Sequence, residues 1–296
     1  TSGISLLAPG CRSLHVSPRS ERLCPLRAKA FDLHATSRFT VVDMTDVQTL
    51  TSLLASSDGT ARRHAALALG TSRELEATRV LLDRLPVESD PRVREDLTWA
   101  LVQHAGAAEP ELLAMLTSSE PDDRRTAAHV LSKIGDPAHF EPLSPLVGDE
   151  HADVAIKAYR AVANTGRPEA ADALAGRLGD GDAVQRDALT SALHRLGEAA
   201  VPALTTALGD GDADVRAHAA EALGHIGGPA ADAAVGALEA AAADADAEVR
   251  LHAVSALGQL SEVADEALAR VAAGPDGVAA QVAARFVARR GATATA

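Results

Sequence analysis

Two groups of side chains in this 296-residue chain have types and spacings that could do chemistry. His218, Glu221 and His225 fall three and four residues apart, so a helix would line them up on one side, and His252 follows a repeat length later. Imidazole nitrogens converging with a carboxylate form a sketch of a transition-metal site. The second group is Trp99, His129 and Arg160, spaced by about 30 residues, with Glu95, Arg125 and Lys157 near them and Tyr159 adjacent to Arg160. Trp, Tyr and Arg are the types most enriched where proteins hold one another, so this set points to a partner surface. Either group works only if regular elements turn its members toward one place.

The elements are written in a repeating phrase. In "DADVRAHAAEALGHIG", Asp212 to Gly227, an acid stands three residues before Val215, an Arg follows it, small residues come next, and Ala-Leu closes the run. The residues eight after the reference position are Leu69, Leu101, Leu131, Val162, Leu193, Leu223, Leu257 and Phe286, at steps of 29 to 34 residues. A fixed period of this size marks stacked supersecondary units. Asp58, Asp90, Glu120, Asp182, Asp212 and Asp246 stand where a carboxylate caps the first turn, and Pro91 and Pro121 follow at the position that tolerates proline best. Gly106, Gly135, Gly166, Gly197 and Gly227 are the expected helix ends. A second apolar run of about three turns, such as "ELEATRVLLDRL" or "EAAVPALTTAL", lies between successive phrases, so each unit is a helical hairpin. With 47% hydrophobic residues but only 2% aromatic ones, the shared core must pack on alanine, leucine and valine.

At about 100° per residue, positions zero, four, seven, eight and eleven of the phrase face inward and positions two, three, six and ten face out. Position three then carries His64, Asp96, Thr126, Lys157, Ala188, His218, His252 and Gln281. Position six carries Leu67, Trp99, His129, Arg160, Ser191, Glu221, Ser255 and Ala284. On this reading both candidate groups share one outward face.

"EAAVPALTTALGDGDADVRAHAAEALGHIG" closely resembles the short HEAT repeats known as PBS-lyase HEAT-like repeats, with their proline-bearing first helix followed by D-x-x-V-R-x-x-A-A-x-A-L-G-x-I-G. The resemblance implies an all-α fold, a right-handed α-solenoid of about eight helical hairpins over residues 44–291, whose second helices line a concave groove. It also implies that Arg62, Arg94, Arg124, Arg186, Arg216 and Arg250 pair with the capping acid of their own or the next unit, a ladder within the stack suited to the planar fork of Arg. HEAT-like deoxyhypusine hydroxylases hold two irons through adjacent His-Glu pairs. This sequence has Arg63-His64, Ala217-His218 and Leu251-His252 there, so the ligand pairs are missing. His218, Glu221, His225 and His252 are therefore expected to be solvated groove residues, with no metal and no cofactor. The family's phycobiliprotein lyases join a bilin to a partner's cysteine, but nothing in the residues marks a bilin pocket.

A net charge of -13 disfavours a general nucleic-acid binder and a basic-groove DNA glycosylase of the HEAT-like kind. Cys11 and Cys24 both precede the repeats, which leaves no cysteine metal site or catalytic thiol within them. No apolar run approaches a membrane span, and no phosphate-binding loop, G-x-S-x-G or H-E-x-x-H occurs. Residues 1–43 are Arg- and Ser-rich without helical period and are expected to be a disordered, upstream or signal extension; 292–296 are expected to be a disordered tail. The expectation is a cytoplasmic, non-enzymatic scaffold that binds another protein or peptide along the groove, through Trp99, His129, Arg160, Glu95, Arg125 and Lys157. A protein-modifying enzyme or accessory subunit with a degenerate metal site is the alternative.

Overall fold

The computed structural model describes residues 46–294, and helix is the only regular structure among them. The helices come in successive pairs: α1 (Val47–Leu54) with α2 (Gly59–Thr71), α3 (Leu75–Arg84) with α4 (Pro91–Gln103), and α5 (Ala105–Met115) with α6 (Pro121–Ile134). These are followed by α7 (Phe140–Leu143) with α8 (Ala152–Asn164), α9 (Ala170–Ala175) with α10 (Ala183–Leu196), and α11 (Val201–Ala207) with α12 (Ala213–Ile226). The last two pairs are α13 (Val235–Ala241) with α14 (Ala247–Gln259) and α15 (Asp265–Ala272) with α16 (Gly277–Ala294). The even-numbered helices carry the repeated phrase, and each packs on the next, α2 on α4 through to α14 on α16. The chain is an all-α solenoid. First helices are shorter than three turns in the later units, because 3-10 turns such as Gly197–Ala200 and Asp232–Ala234 take up the start of each run.

Local chemistry explains where the even helices begin. Asp58, Asp90, Asp182, Asp212 and Asp246 each accept a hydrogen bond from a backbone N–H two or three residues ahead, the cap that is worth about 1 kcal/mol. Glu120 makes no such bond, and Asp122 and Asp123 in the first turn supply the negative charge instead. Gly135, Gly166, Gly197 and Gly227 end their helices at positive φ, as expected. Gly106 does not; it lies in the first turn of α5, and His104 occupies the joint. The His104 ring ties the units together there, with Nε2 donating to the Leu69 carbonyl at 3.0 Å and the Thr78 hydroxyl 2.8 Å from Nδ1.

Small side chains let the even helices approach closely. Ala65, Ala66, Ala100, Ala127, Ala128, Ala161, Ala219 and Ala253 are fully buried beside Leu69, Leu101, Leu193, Leu223 and Leu257. The glycine after the closing Ala-Leu sets the contact distance: a Cβ on Gly70 would stand 2.8 Å from the Ala100 Cα, nearer than real atoms come. Burying each leucine contributes about 1.5–3 kcal/mol, so the row of them supplies much of the force that stacks the units.

The Arg that follows the reference position forms a ladder at Arg62, Arg124, Arg216 and Arg250, not at Arg94 or Arg186, and its rung ends elsewhere than expected. Arg62 donates to Glu88, Arg124 to Asp149 and Arg216 to Asp244, through Nε at 2.9, 2.7 and 2.8 Å and through a second nitrogen in each case. Each acceptor lies two residues before the cap position of the next unit, where its other oxygen contacts also serve the turn; only Arg250 reaches a capping acid itself, Asp276, at 2.6 Å. The same guanidinium groups donate to carbonyls of their own turn, Arg62 to Ser56 and Arg124 to Ser118. A capping carboxylate is already engaged by backbone N–H groups, which leaves the acid farther out free for the bidentate pair. Helix α16 runs on to Ala294, beyond the expected end of the array at 291. Residues 1–43, and 295–296 of the expected tail, lie outside the described residues.

Candidate functional site

Position six is outward as read: Trp99 is 44% exposed, Arg160 is exposed and His129 is half-buried. Position three is mixed: His64 and Gln281 are exposed, Asp96, Lys157, Ala188 and His252 are half-buried, and Thr126 and His218 are buried. At about 100° per residue it stands only about 60° from the buried reference position, which places it at the seam between successive even helices. At that seam the tilt of one helix on the next leaves Thr126 and His218 only 3% exposed.

The seam decides the fate of the histidine group. His218 Nδ1 accepts the Gly179 N–H at 3.2 Å, and Nε2 lies 3.0 Å from the Thr190 hydroxyl, so the ring is a neutral bridge between α12 and the turn before α10. Burial pushes its pKa down, and the nearby Glu221 carboxylate only partly opposes this. The expectation that His218 is a solvated groove residue is thus corrected. Glu221, His225 and His252 do line one cavity of about 470 Å³ between α12 and α14. Their contacts are loose: His225 is 4.0 Å from Glu221, and His252 is 3.8 Å from Glu248, which lies outside the cavity. Among the described residues no three His, Cys, Asp or Glu side chains converge as a metal would require.

The second group is partly assembled. Glu95, Arg125, His129 and Lys157 border a recess of about 220 Å³ between α4, α6 and α8, together with Arg94, Thr98 and Thr126. Glu95 accepts from Lys133 Nζ at 2.8 Å and lies 3.5 Å from His129 Nε2. The Lys133 bond, above all, holds the Glu95 carboxyl below its ordinary range. Burial, and then the positive charge of Lys157, push His129 down, against the pull of Glu95. Lys157 is lowered by burial and by the adjacent charges of Arg125 and Arg160. Arg125 donates to Asp122 at 2.9 Å. Trp99 stands outside the recess with its ring over Gly70 of α2, where a Cβ would come within 3.0 Å of Cζ3. Tyr159 turns the other way and is 2% exposed, so it belongs to the core.

The HEAT repeats family profile matches residues 39–102, 109–194, 180–235 and 201–288. The chain belongs to the HEAT repeat family. No curated protein sequence matches it significantly. Among solved structures, it is similar to the complex of CpcE and CpcF of phycocyanin lyase from Nostoc sp. PCC7120, with 22% identity over 82% of this chain and 97% of that one and a TM-score of 0.38. It is also similar to human deoxyhypusine hydroxylase in complex with glycerol, with 23% identity over 83% of this chain and 97% of that one and a TM-score of 0.35.

In this HEAT array the residues that complete the recess were not legible as site residues. Arg94 reads as one more ladder Arg, Thr126 as a solvated outward residue, and Thr98 and Lys133 carry no signal. The cue for Arg94 is the residue two before the next unit's cap, Ser118 where five other units have an acid (Glu88, Asp149, Asp180, Asp210 and Asp244). It becomes informative only once the true rung geometry is known. No helix among the described residues is long and apolar enough to cross a membrane.

Proposed function

We propose that this HEAT array is a non-enzymatic scaffold that captures another protein or peptide on the exposed side of α4, α6 and α8, with Trp99, His129 and Arg160 as anchors and Glu95, Arg125 and Lys157 around them. The observation that carries the reading is the chain's single tryptophan, 44% exposed on α4, one turn from a cation-lined recess in a protein of net charge -13. Large exposed aromatics beside Arg are the common anchors of interfaces. The outward side chains of successive helices stand about 8–10 Å apart, so a partner is read by several units at once. The array acts by rigid display.

The test is quantitative affinity capture from the native host with the unaltered chain and a Trp99→Ala, Arg160→Ala double variant, with far-UV circular dichroism as a fold control. Loss of the same captured protein from the variant at unchanged helicity is the expected outcome. Equal capture by both overturns the assignment.

A further inference from the structure

Two of the ladder arginines lack a hydrogen-bonded acid at the far end: Arg186 comes only within 3.6 Å of Asp214, and Arg94 has no carboxylate within 4 Å among the described residues. Arg62, Arg124, Arg216 and Arg250 each meet a carboxylate of the next unit, but at the place where Arg94 would find one the chain has Ser118, whose hydroxyl is turned to Asp123. Arg94 donates instead to the carbonyls of Leu85 and Glu88 at 3.1 and 2.9 Å, and to the Thr126 hydroxyl at 3.3 Å. Its guanidinium is partly buried; burial and then the Arg125 charge work against it, and the more distant Asp122 and Glu88 offset this only in part. Such a group is costly unless something anionic joins it.

Two further cations crowd the same recess. Lys157 has no ion pair within 4 Å among the described residues; Arg125 and Arg160 repel it, and the attraction of Asp153 and Glu95 offsets this only in part. Arg125 shares only the exposed Asp122, and Glu95 is already held by Lys133. Like charges brought together in this way destabilise a fold by themselves. At about 220 Å³ the recess is smaller than the ~300–1,000 Å³ of a cleft that encloses a small molecule, which suits one functional group of a larger ligand.

We infer that the recess formed by Arg94, Arg125, Lys157 and Thr126 binds a phosphate monoester carried on a side chain of the captured protein. Three positive charges and a hydroxyl match a group of about -1.5 to -2 with three acceptor oxygens better than a single carboxylate, which would leave the excess charge in place. The guanidinium fork of Arg94, pinned by two carbonyls and Thr126, presents its remaining N–H groups with little freedom to lose. The site deepens the proposed function and rests on it, since the phosphate is taken to belong to the scaffold's partner.

The experiment is isothermal titration of the full chain at low salt with inorganic phosphate, a phosphoserine pentapeptide, and the same pentapeptide carrying Ser or Glu. We expect saturable binding of the phosphopeptide at one site, weakened roughly tenfold or more by Lys157→Gln and by Arg125→Gln, and unchanged by Arg79→Gln on α3. Arg94→Lys, which keeps the charge and loses the fork, weakens it too and guards against a variant that fails to fold. No binding, equal loss with Arg79→Gln, or a Glu peptide as tight as the phosphopeptide overturns the inference, as does binding of inorganic phosphate alone. Partner capture that needs Trp99 and Arg160 while no phosphopeptide binds defeats this inference and leaves the scaffold standing; phosphopeptide binding with capture indifferent to Trp99 and Arg160 defeats the scaffold assignment.

Discussion

Glu88→Gln is the sharpest probe of the ladder. The Glu88 side chain is 0% exposed, with Arg62 Nε at 2.9 Å, Arg84 at 2.5 Å and the Asp90 N–H at 2.9 Å. Burial pushes the carboxyl up, but the hydrogen bonds from Arg62, Arg84 and Asp90 outweigh it and hold the pKa at about 2 against an ordinary 4.5. That depression corresponds to roughly 3 kcal/mol of stability, and because Arg84 is partly solvated we expect about 2 kcal/mol on substitution. Arg62 would also lose its hydrogen-bonded ion-pair partner at a partly buried position. A depressed acid stabilises above its unfolded pKa, so the difference between native chain and variant should be complete at pH 7. It should begin to close below about 4.5 and be gone once the pH falls past about 2. Stacked units need not unfold together, so the signal must be local. Trp99, the only tryptophan, sits on α4 immediately after this rung and reports it directly in urea titrations followed by fluorescence. A difference under about 0.5 kcal/mol at pH 7, or one that does not shrink in acid, refutes the reasoning.

Other perturbations test neighbouring links. His218 is a base whose folded pKa is lowered, so its contribution is complete above about 6.5 and fades as the pH falls below that value. Urea midpoints of the native chain should drop between pH 7 and 5 more steeply than those of His218→Gln. Gly70→Ala should cost about 1–3 kcal/mol by urea titration despite better helix propensity, because the obstructing atom is backbone; Gly258→Ala should cost less, because it meets only the movable Phe286 ring. Arg216→Lys keeps the charge but loses the paired bonds to Asp244, and hydrogen exchange in the turn before α14 should quicken while that near α4 does not.

How far these features could be read in advance follows from what each residue must do. Eight hairpins were legible because Asp58, Asp90, Asp212 and Asp246 repeat a cap that works within its own helix, and local chemistry is written locally. Gly106 misled, since its spacing matches the other ends while His104 actually makes the joint. His218 and Thr126 misled for a different reason: position three lies near the boundary of the buried arc, and the tilt of one helix on the next decides which side it takes. The acceptors Glu88, Asp149 and Asp244 stand about 26 residues from their arginines, and no single repeat contains the pair. Of the expected partner residues, Glu95, Arg125, His129 and Lys157 share one recess, while Trp99 faces α2, because two residues on the same outward column can still lean toward different neighbours.

Photo-crosslinking in the native host tests the central claim most directly, with a crosslinking amino acid placed singly at Arg160, at His129 and, on the far α3 surface, at Arg79. The account predicts one and the same protein attached from positions 160 and 129 and nothing specific from 79. Attachment from 79 alone, or different proteins from 160 and 129, would contradict it.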